Sequence, residues 1–271
     1  MIKNTELIDI VSLSISVIAL LLNTCVLYLL HRKWKNRREW TPMDQVLLHS
    51  YIVTSAYVIT LQIFWISKLC DFDLGEIVNK VLLLLGYLFG QINVRLLLVM
   101  SLQRFIAVVT PLRVKSLVTR KTTQYAIAIV YMVTHLHYAL YAVMLFAGIP
   151  VIRHLLLKIG NIMVAGELLS SALLYFVMFV RLKQMYRENQ VQQHQGGERK
   201  KLMKSSIFCC VLMLSMVISF APMLLYNFGV SVSRETVVMI VWVDPIFSAI
   251  WYMTVMWDLK TRQQTRRSSD N

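Results

Sequence analysis

Seven times along this chain an apolar run reaches the ~20 residues that an α-helix needs to cross about 30 Å of hydrocarbon. The runs cover residues 8–30, 43–66, 77–109, 123–146, 151–182, 202–228 and 235–256. Lipid offers no partner to an unpaired peptide group, so a crossing segment must satisfy its own backbone. With only five Pro and nine Gly in 271 residues, these runs read as helices. The chain is 57% apolar and 15% charged, whereas soluble domains are about a quarter charged. The expected fold is an all-α membrane protein, a seven-transmembrane helix bundle forming one domain over residues 1–271. The N-terminus passes from about seven polar or mixed residues straight into the first run with no small-residue cleavage site. It therefore reads as a first span and not as a signal peptide.

A formal net charge of +14 would suit a nucleic-acid binder, but the 28 basic residues are not spread evenly. Arg32, Lys33, Lys35, Arg37 and Arg38 follow the first run; Arg104, Arg113, Lys115, Arg120 and Lys121 lie between the third and fourth. Arg181, Lys183, Arg187, Arg199, Lys200, Lys201 and Lys204 surround the fifth connection, and Lys260, Arg262, Arg266 and Arg267 end the chain. All these sites fall on one side of a seven-pass bundle. The other side holds Lys3, Lys68, Lys80, Arg153, Lys158 and Arg234, while Arg95 lies inside a run. The positive-inside rule then places the N-terminus outside and the C-terminus in the cytosol. The basic residues read as orientation signals and as contacts for anionic lipids, not for nucleic acid.

Cys25, Cys70, Cys209 and Cys210 show neither zinc spacing nor a disulfide framework. His135 and His137 are two apart, which on a helix turns them to different faces, so they make no metal pair. A Gln-rich stretch, Glu188 to Glu198, is the one linker-like segment, and residues 257–267 are amphipathic enough to lie along the inner membrane surface. No cofactor is expected. The outer loops are short, which favours a small ligand over a large protein one.

At the inner end of the third run the chain reads Ser101-Leu102-Gln103-Arg104-Phe105-Ile106-Ala107-Val108-Val109-Thr110-Pro111-Leu112-Arg113. The sixth holds Ser219-Phe220-Ala221-Pro222, the seventh Asp244-Pro245-Ile246-Phe247-Ser248, and the first has Asn23. Together these resemble rhodopsin-like (class A) G-protein-coupled receptors, with an acidic-Arg-aromatic triplet and Pro-Leu, a Cys-Trp-x-Pro kink, an Asn/Asp-Pro-x-x-Tyr and the Asn of the first helix. The resemblance implies that Arg104, flanked by Gln103 and Phe105, holds one state of the bundle and meets a heterotrimeric G protein in the other. It implies that Phe220 is a packing toggle above the Pro222 kink, that Asp244 and Pro245 mark a second hinge, and that Tyr175 is the fifth helix's switch Tyr. Pro222 and Pro245 each remove a backbone hydrogen bond and kink their helices.

Several positions depart from that pattern. Gln103 replaces the acid that restrains the Arg, Phe220 replaces Trp and Ser248 replaces Tyr. Ile52 falls where the second helix should carry the Asp of the family's sodium site, so a sodium-dependent brake is expected to be absent. Asn79 stands near the third helix's usual Cys, which leaves the family's disulfide unmade. The short loops, the Thr41-Pro42-Met43 entry to the second run and the Ala107–Arg113 run resemble vertebrate odorant receptors slightly more than amine or peptide receptors; Gly86 at the amine-binding position argues against charged-amine ligands, and Asp244 in the seventh run also occurs in nucleotide and lipid receptors.

An ionisable group inside a span costs at least ~2.5 kcal/mol on insertion scales, so it needs a partner or a function. Arg95 lies about 13 Å deeper than Arg104 along the helix, and Glu167 lies in the middle of the fifth run. In the family's fold both fall where the third and fifth helices meet, which predicts an Arg95–Glu167 ion pair fixing helix register. An outward-facing ligand cavity between the third and seventh helices would draw on Tyr87, Gln91, Tyr138, Tyr141, Asn161, Tyr226 and Trp242. Each is equally readable as packing or as the interfacial aromatic belt.

The expected function is transduction of an extracellular small-molecule signal, odorant or lipid-like, to a heterotrimeric G protein. The alternative is a non-signalling seven-helix decoy or trafficking partner whose switch motifs have degenerated. Enzyme chemistry is disfavoured, since one buried carboxylate without a paired acid, metal cluster or nucleophile and base supplies no familiar mechanism. Homo- or hetero-oligomers stay open.

Overall fold

A computed structural model describes residues 4–35, 40–110, 113–147, 150–188, 196–227, 230 and 244–255. Trp242 and the amphipathic segment 257–267 lie outside the described residues, as does the side chain of Tyr226. The helices are α1 (Asn4–Lys35), α2 (Pro42–Leu69), α3 (Gly75–Val109), a one-turn α4 (Val114–Leu117), α5 (Arg120–Phe146), α6 (Pro150–Glu188) and α7 (Gly196–Asn227). Residues 244–255 form a further helix, α8. No strand occurs among the described residues.

Hydropathy marks where a helix meets lipid, but capping decides where it starts, and the two differ here. Thr41 caps α2: the Asp44 amide donates to its hydroxyl at 3.3 Å, and the Thr41 amide donates back to the Asp44 carboxylate at 2.7 Å. Pro42 fits the first helical turn because the missing N–H would be unsatisfied there anyway. The same reciprocal pair joins Thr119 and Thr122 before α5. Helix α2 therefore begins one residue, and α5 three residues, ahead of the apolar runs that predicted them.

Among the described residues five helical stretches are long and apolar enough to cross a membrane: Ile8–Lys35, Pro42–Leu69, Gly75–Val109, Arg120–Phe146 and Leu155–Gln184. Cys209–Pro222 is a shorter apolar stretch within α7. Their outer faces carry bare apolar side chains, with Leu136 72% and Ile77 68% exposed. Water would not tolerate so large an apolar exterior without aggregation, whereas hydrocarbon does. The chain is a multi-pass, all-helical membrane protein.

Buried faces follow from spacing. On α1 the buried positions are Ser12, Ser16, Ala19, Asn23, Val26 and Leu30, alternating by four and three residues. That seam packs against α2. The small Ser and Ala side chains let two backbones approach closely where no hydrophobic force drives them together. Helix α3 is the centre of the bundle: it touches α2, α5, α6 and α7, and every residue from Gly90 to Leu97 is buried. Helix α8 is tied to α2 by the buried Tyr51 hydroxyl, which donates to the Ser248 carbonyl at 2.9 Å, and by the Tyr51 and Tyr252 rings, edge to face at 5.8 Å. Tyr51→Phe keeps the ring contact and removes the hydrogen bond. It should cost about 1 kcal/mol, read as a lowered thermal midpoint of the detergent-purified protein; an unchanged midpoint would show that the bond contributes nothing net.

Candidate functional site

Because α3 is buried all round at mid-depth, its polar side chains cannot reach water and must be satisfied by neighbouring helices. They divide between two faces. Gln91 and Arg95, four residues apart, stand on the side of α5 and α6. Gly90 and Asn93 stand on the side of α2, α7 and α8.

On the first face the Arg95 guanidinium, 5% exposed, is the hub. Its Nε donates to Glu167 Oε1 of α6 at 2.9 Å, one Nη to the Thr134 hydroxyl of α5 at 2.7 Å, and the other to Gln91 Oε1 at 3.4 Å. Thr134 passes the bond on to the Val130 carbonyl at 2.6 Å. One cation thus ties three helices and neutralises the carboxylate facing it. The second carboxylate oxygen, Glu167 Oε2, is buried and has no hydrogen-bond partner in the structure. Next to this hub Gly160 of α6 admits two side chains: a Cβ there would come within 3.0 Å of Gln91 Nε2 and 3.2 Å of His137 Nε2. A side chain at 160 would require Gln91 and His137 to shift by a few tenths of an ångström.

Of the residues expected to contact a ligand, this face collects Gln91, Tyr138, Tyr141 and Asn161, all buried. The Tyr138 and Tyr141 rings pack edge to face at 6.1 Å, and His137 packs on Tyr138 at 5.2 Å. Tyr87 is half-buried against the same core. These side chains make a packed polar cluster.

Two cavities lie on the other face of α3, and among the described residues none of the expected ligand contacts lines them. One, of about 30 Å³, is bordered by Thr54, Tyr57, Phe89, Gly90, Asn93, Ser219, Phe220, Asp244 and Pro245. A second, of about 20 Å³, shares Thr54, Asn93 and Asp244 and adds Ser50, Tyr51 and Ser248. Each is large enough for a water molecule and polar enough to hold it. Within this region Ser215 donates to Asp244 Oδ1 at 2.7 Å, the Asp244 amide donates to the Ser219 hydroxyl at 2.9 Å, and Asn93 donates to Thr54 at 3.2 Å. Ser50 donates to Asn93 Oδ1. Phe220 lies over Gly90, where a Cβ would meet its ring at 3.3 Å, so the glycine is what lets α7 close on α3. Asn23 is fully buried, and its amide atoms have no partner in the structure.

The expectation for Ile52 is corrected here. Ile52 is 47% exposed and points away from the bundle, while Thr54 faces the cavity. The buried face of α2 runs through Leu47, Tyr51, Thr54 and Val58, spaced four, three and four, and Ile52 falls off that stripe. The acid of this cavity comes instead from α8, as Asp244. Thr54, Asn93, Ser215, Ser219 and Thr134 were not singled out from sequence; the signal was available in the spacing of Ser215, Ser219 and Pro222 along one face.

At the inner end Gln103 turns away from Arg104 and donates to Thr123 of α5 at 2.8 Å. Arg104 donates to the Met43 sulfur of α2, and its Nε is buried without a partner. Tyr175 is buried beside Ser101, Cys209 and Arg104. Phe105 is half-buried. Set against known proteins, the chain matches no family model and no curated protein sequence.

Proposed function

We propose that the protein is a seven-pass receptor of the rhodopsin-like kind, with its N-terminus outside and its basic loops in the cytosol of the plasma membrane, transducing an outside small-molecule signal, odorant or lipid-like, to a heterotrimeric G protein. The observation that carries this reading is the two-faced α3. One helix holds an Arg95 hub to α5 and α6 and a hydrated-size polar cavity to α2, α7 and α8, with Pro245 lining that cavity and Pro222 on α7 three residues from Ser219, which also lines it. A pair of proline-bearing helices around polar, water-sized space can repack against α3 without stripping apolar side chains from lipid. Such a bundle has two packings that a ligand can bias.

The test is expression with chimeric G proteins in a cAMP or calcium reporter, with a panel of volatile and lipid compounds added. A change in basal or evoked signal that Arg104→Ala abolishes supports the receptor. A second reading is favoured by Gln103 and Ser248, which leave Arg104 without an adjacent acid and α8 without its tyrosine at that position. Full surface expression with a silent reporter under every G protein would select that non-signalling decoy or trafficking partner.

A further inference from the structure

The hub on Arg95 is complete in every bond but one. All three guanidinium nitrogens donate, to Glu167, Thr134 and Gln91, and the Thr134 hydroxyl donates onward to its own helix. What remains is an acceptor: Glu167 Oε2 is buried and takes no hydrogen bond in the structure. A buried carboxylate oxygen left unpaired keeps the full cost of its lost hydration, and hydrocarbon has no water to return. The surroundings say from where a donor can come. On one side of the hub the seam between α5 and α6 is closed, because Gln91 and His137 both reach Gly160. On the other side α3 surfaces between them. Leu98 and Leu102 follow Arg95 by three and seven residues and so share its helix face; Leu98 is half-buried and Leu102 is 43% exposed. Met163, one turn before Glu167, and Val133, next to Thr134, are exposed as well. Glu167 is the more open member of the ion pair, its side chain 17% exposed against 6% for Arg95. A lipid-facing seam, apolar along its length, thus ends at a carboxylate that lacks one donor.

We propose that this seam binds an apolar molecule carrying one hydroxyl, which arrives through the hydrocarbon, lays its body along Leu98 and Leu102 and donates to Glu167 Oε2. The unpartnered oxygen selects the ligand class. A ketone, ester or ether brings only a second acceptor and sets two acceptors face to face, whereas an alcohol or phenol supplies the missing donor. An ammonium ion also donates, but it carries an extra charge to mid-membrane beside the Arg95 cation, which hydrocarbon penalises. The last torsion of a Glu side chain is soft, so Oε2 can turn to the seam while Oε1 keeps Arg95 Nε. Leu102 lies about 10 Å along the helix from Arg95, which leaves room for a medium-length alkyl chain. That such an alcohol is the signal rests on the receptor reading; that it binds does not.

The experiment photolabels the full chain in nanodiscs with a decanol that bears a diazirine at its far carbon, and maps the adducts by mass spectrometry. Labelling should fall on α3 around Leu102. Plain decanol should displace the label roughly tenfold better than decyl methyl ether at equal concentration in the bilayer, the worth of one hydrogen bond to a charged acceptor. Glu167→Gln keeps an acceptor for Arg95 Nε and puts an amide N–H in place of Oε2, so there the alcohol's advantage over the ether should vanish. Leu102→Trp fills the seam from an exposed position and should block labelling without touching the hub. Equal competition by alcohol and ether in the parent overturns the site, as do adducts spread evenly over the lipid-facing helices. An alcohol preference that persists in Glu167→Gln, or labelling that persists in Leu102→Trp, overturns it too, and Leu102→Trp decides if Glu167→Gln does not fold. Alcohol-selective labelling with a reporter silent to decanol under every G protein keeps the site and counts for the non-signalling reading instead.

Discussion

Glu167→Ala should strip most of the folded protein from the membrane, because it leaves Arg95 charged at mid-depth with only Thr134 and Gln91 to face it. Removing one partner of a buried ion pair costs about 3–5 kcal/mol, a large share of the 5–15 kcal/mol that holds a typical domain together. Glu167→Gln should do less harm, since an amide oxygen can still accept from Arg95 Nε. The double change Arg95→Met with Glu167→Leu should recover much of the loss, because neither group then needs the other. Monodisperse yield after gel filtration and the thermal midpoint are measured for the parent, these three variants and the single changes Arg95→Met and Glu167→Leu. If the double variant loses the sum of the two single losses, Arg95 and Glu167 are energetically independent and the hub is only a proximity.

The second large effect runs the other way. Asp244 is 7% exposed, takes one hydrogen bond from Ser215, and among the described residues has no Lys or Arg paired with it. A carboxylate kept charged away from water without a cationic partner is costly. Asp244→Asn keeps an acceptor for Ser215 and the backbone bond to Ser219 while removing the charge. It should raise the thermal midpoint, by an amount on the order of 2 kcal/mol in stability. A lowered midpoint would mean that the carboxylate is compensated by something the protein normally binds there. Stability given up at a polar cavity is what a bundle with two packings would show.

How far the chain could be read in advance depended on what each residue costs in lipid. Long apolar runs locate helices because a peptide group cannot go unpaired in hydrocarbon. Their starts were missed by one to three residues at α2 and α5, where Thr41 and Thr119 cap turns too polar to score as membrane. Arg95 and Glu167 were legible as partners because a lone charge at that depth is expensive enough to demand an answer. Thr54, Asn93, Ser215 and Ser219 were not, since a Ser or Thr can bond its own helix's carbonyl and so sits in a span at little cost. Only packing shows which of them faces a cavity. The Ile52 misplacement has the same origin: a shift of two residues on a helix turns a side chain by about half a circle, and nothing local to α2 registers the error. The meeting of Arg120 with Trp40, eighty residues apart, is a property of the assembled bundle alone.

The burial of α3 on every side has a consequence for how the protein is made. A segment carrying Gln91, Asn93 and Arg95 in its middle is a poor passenger for the bilayer by itself, and no face of it from Gly90 to Leu97 meets lipid once the bundle is complete. Until α5 and α6 emerge to supply Thr134 and Glu167, its guanidinium is without the partners it has in the finished bundle. A chain halted just after Val109 should be handed to quality control, while one carried through Glu188 has its third crossing already sheathed.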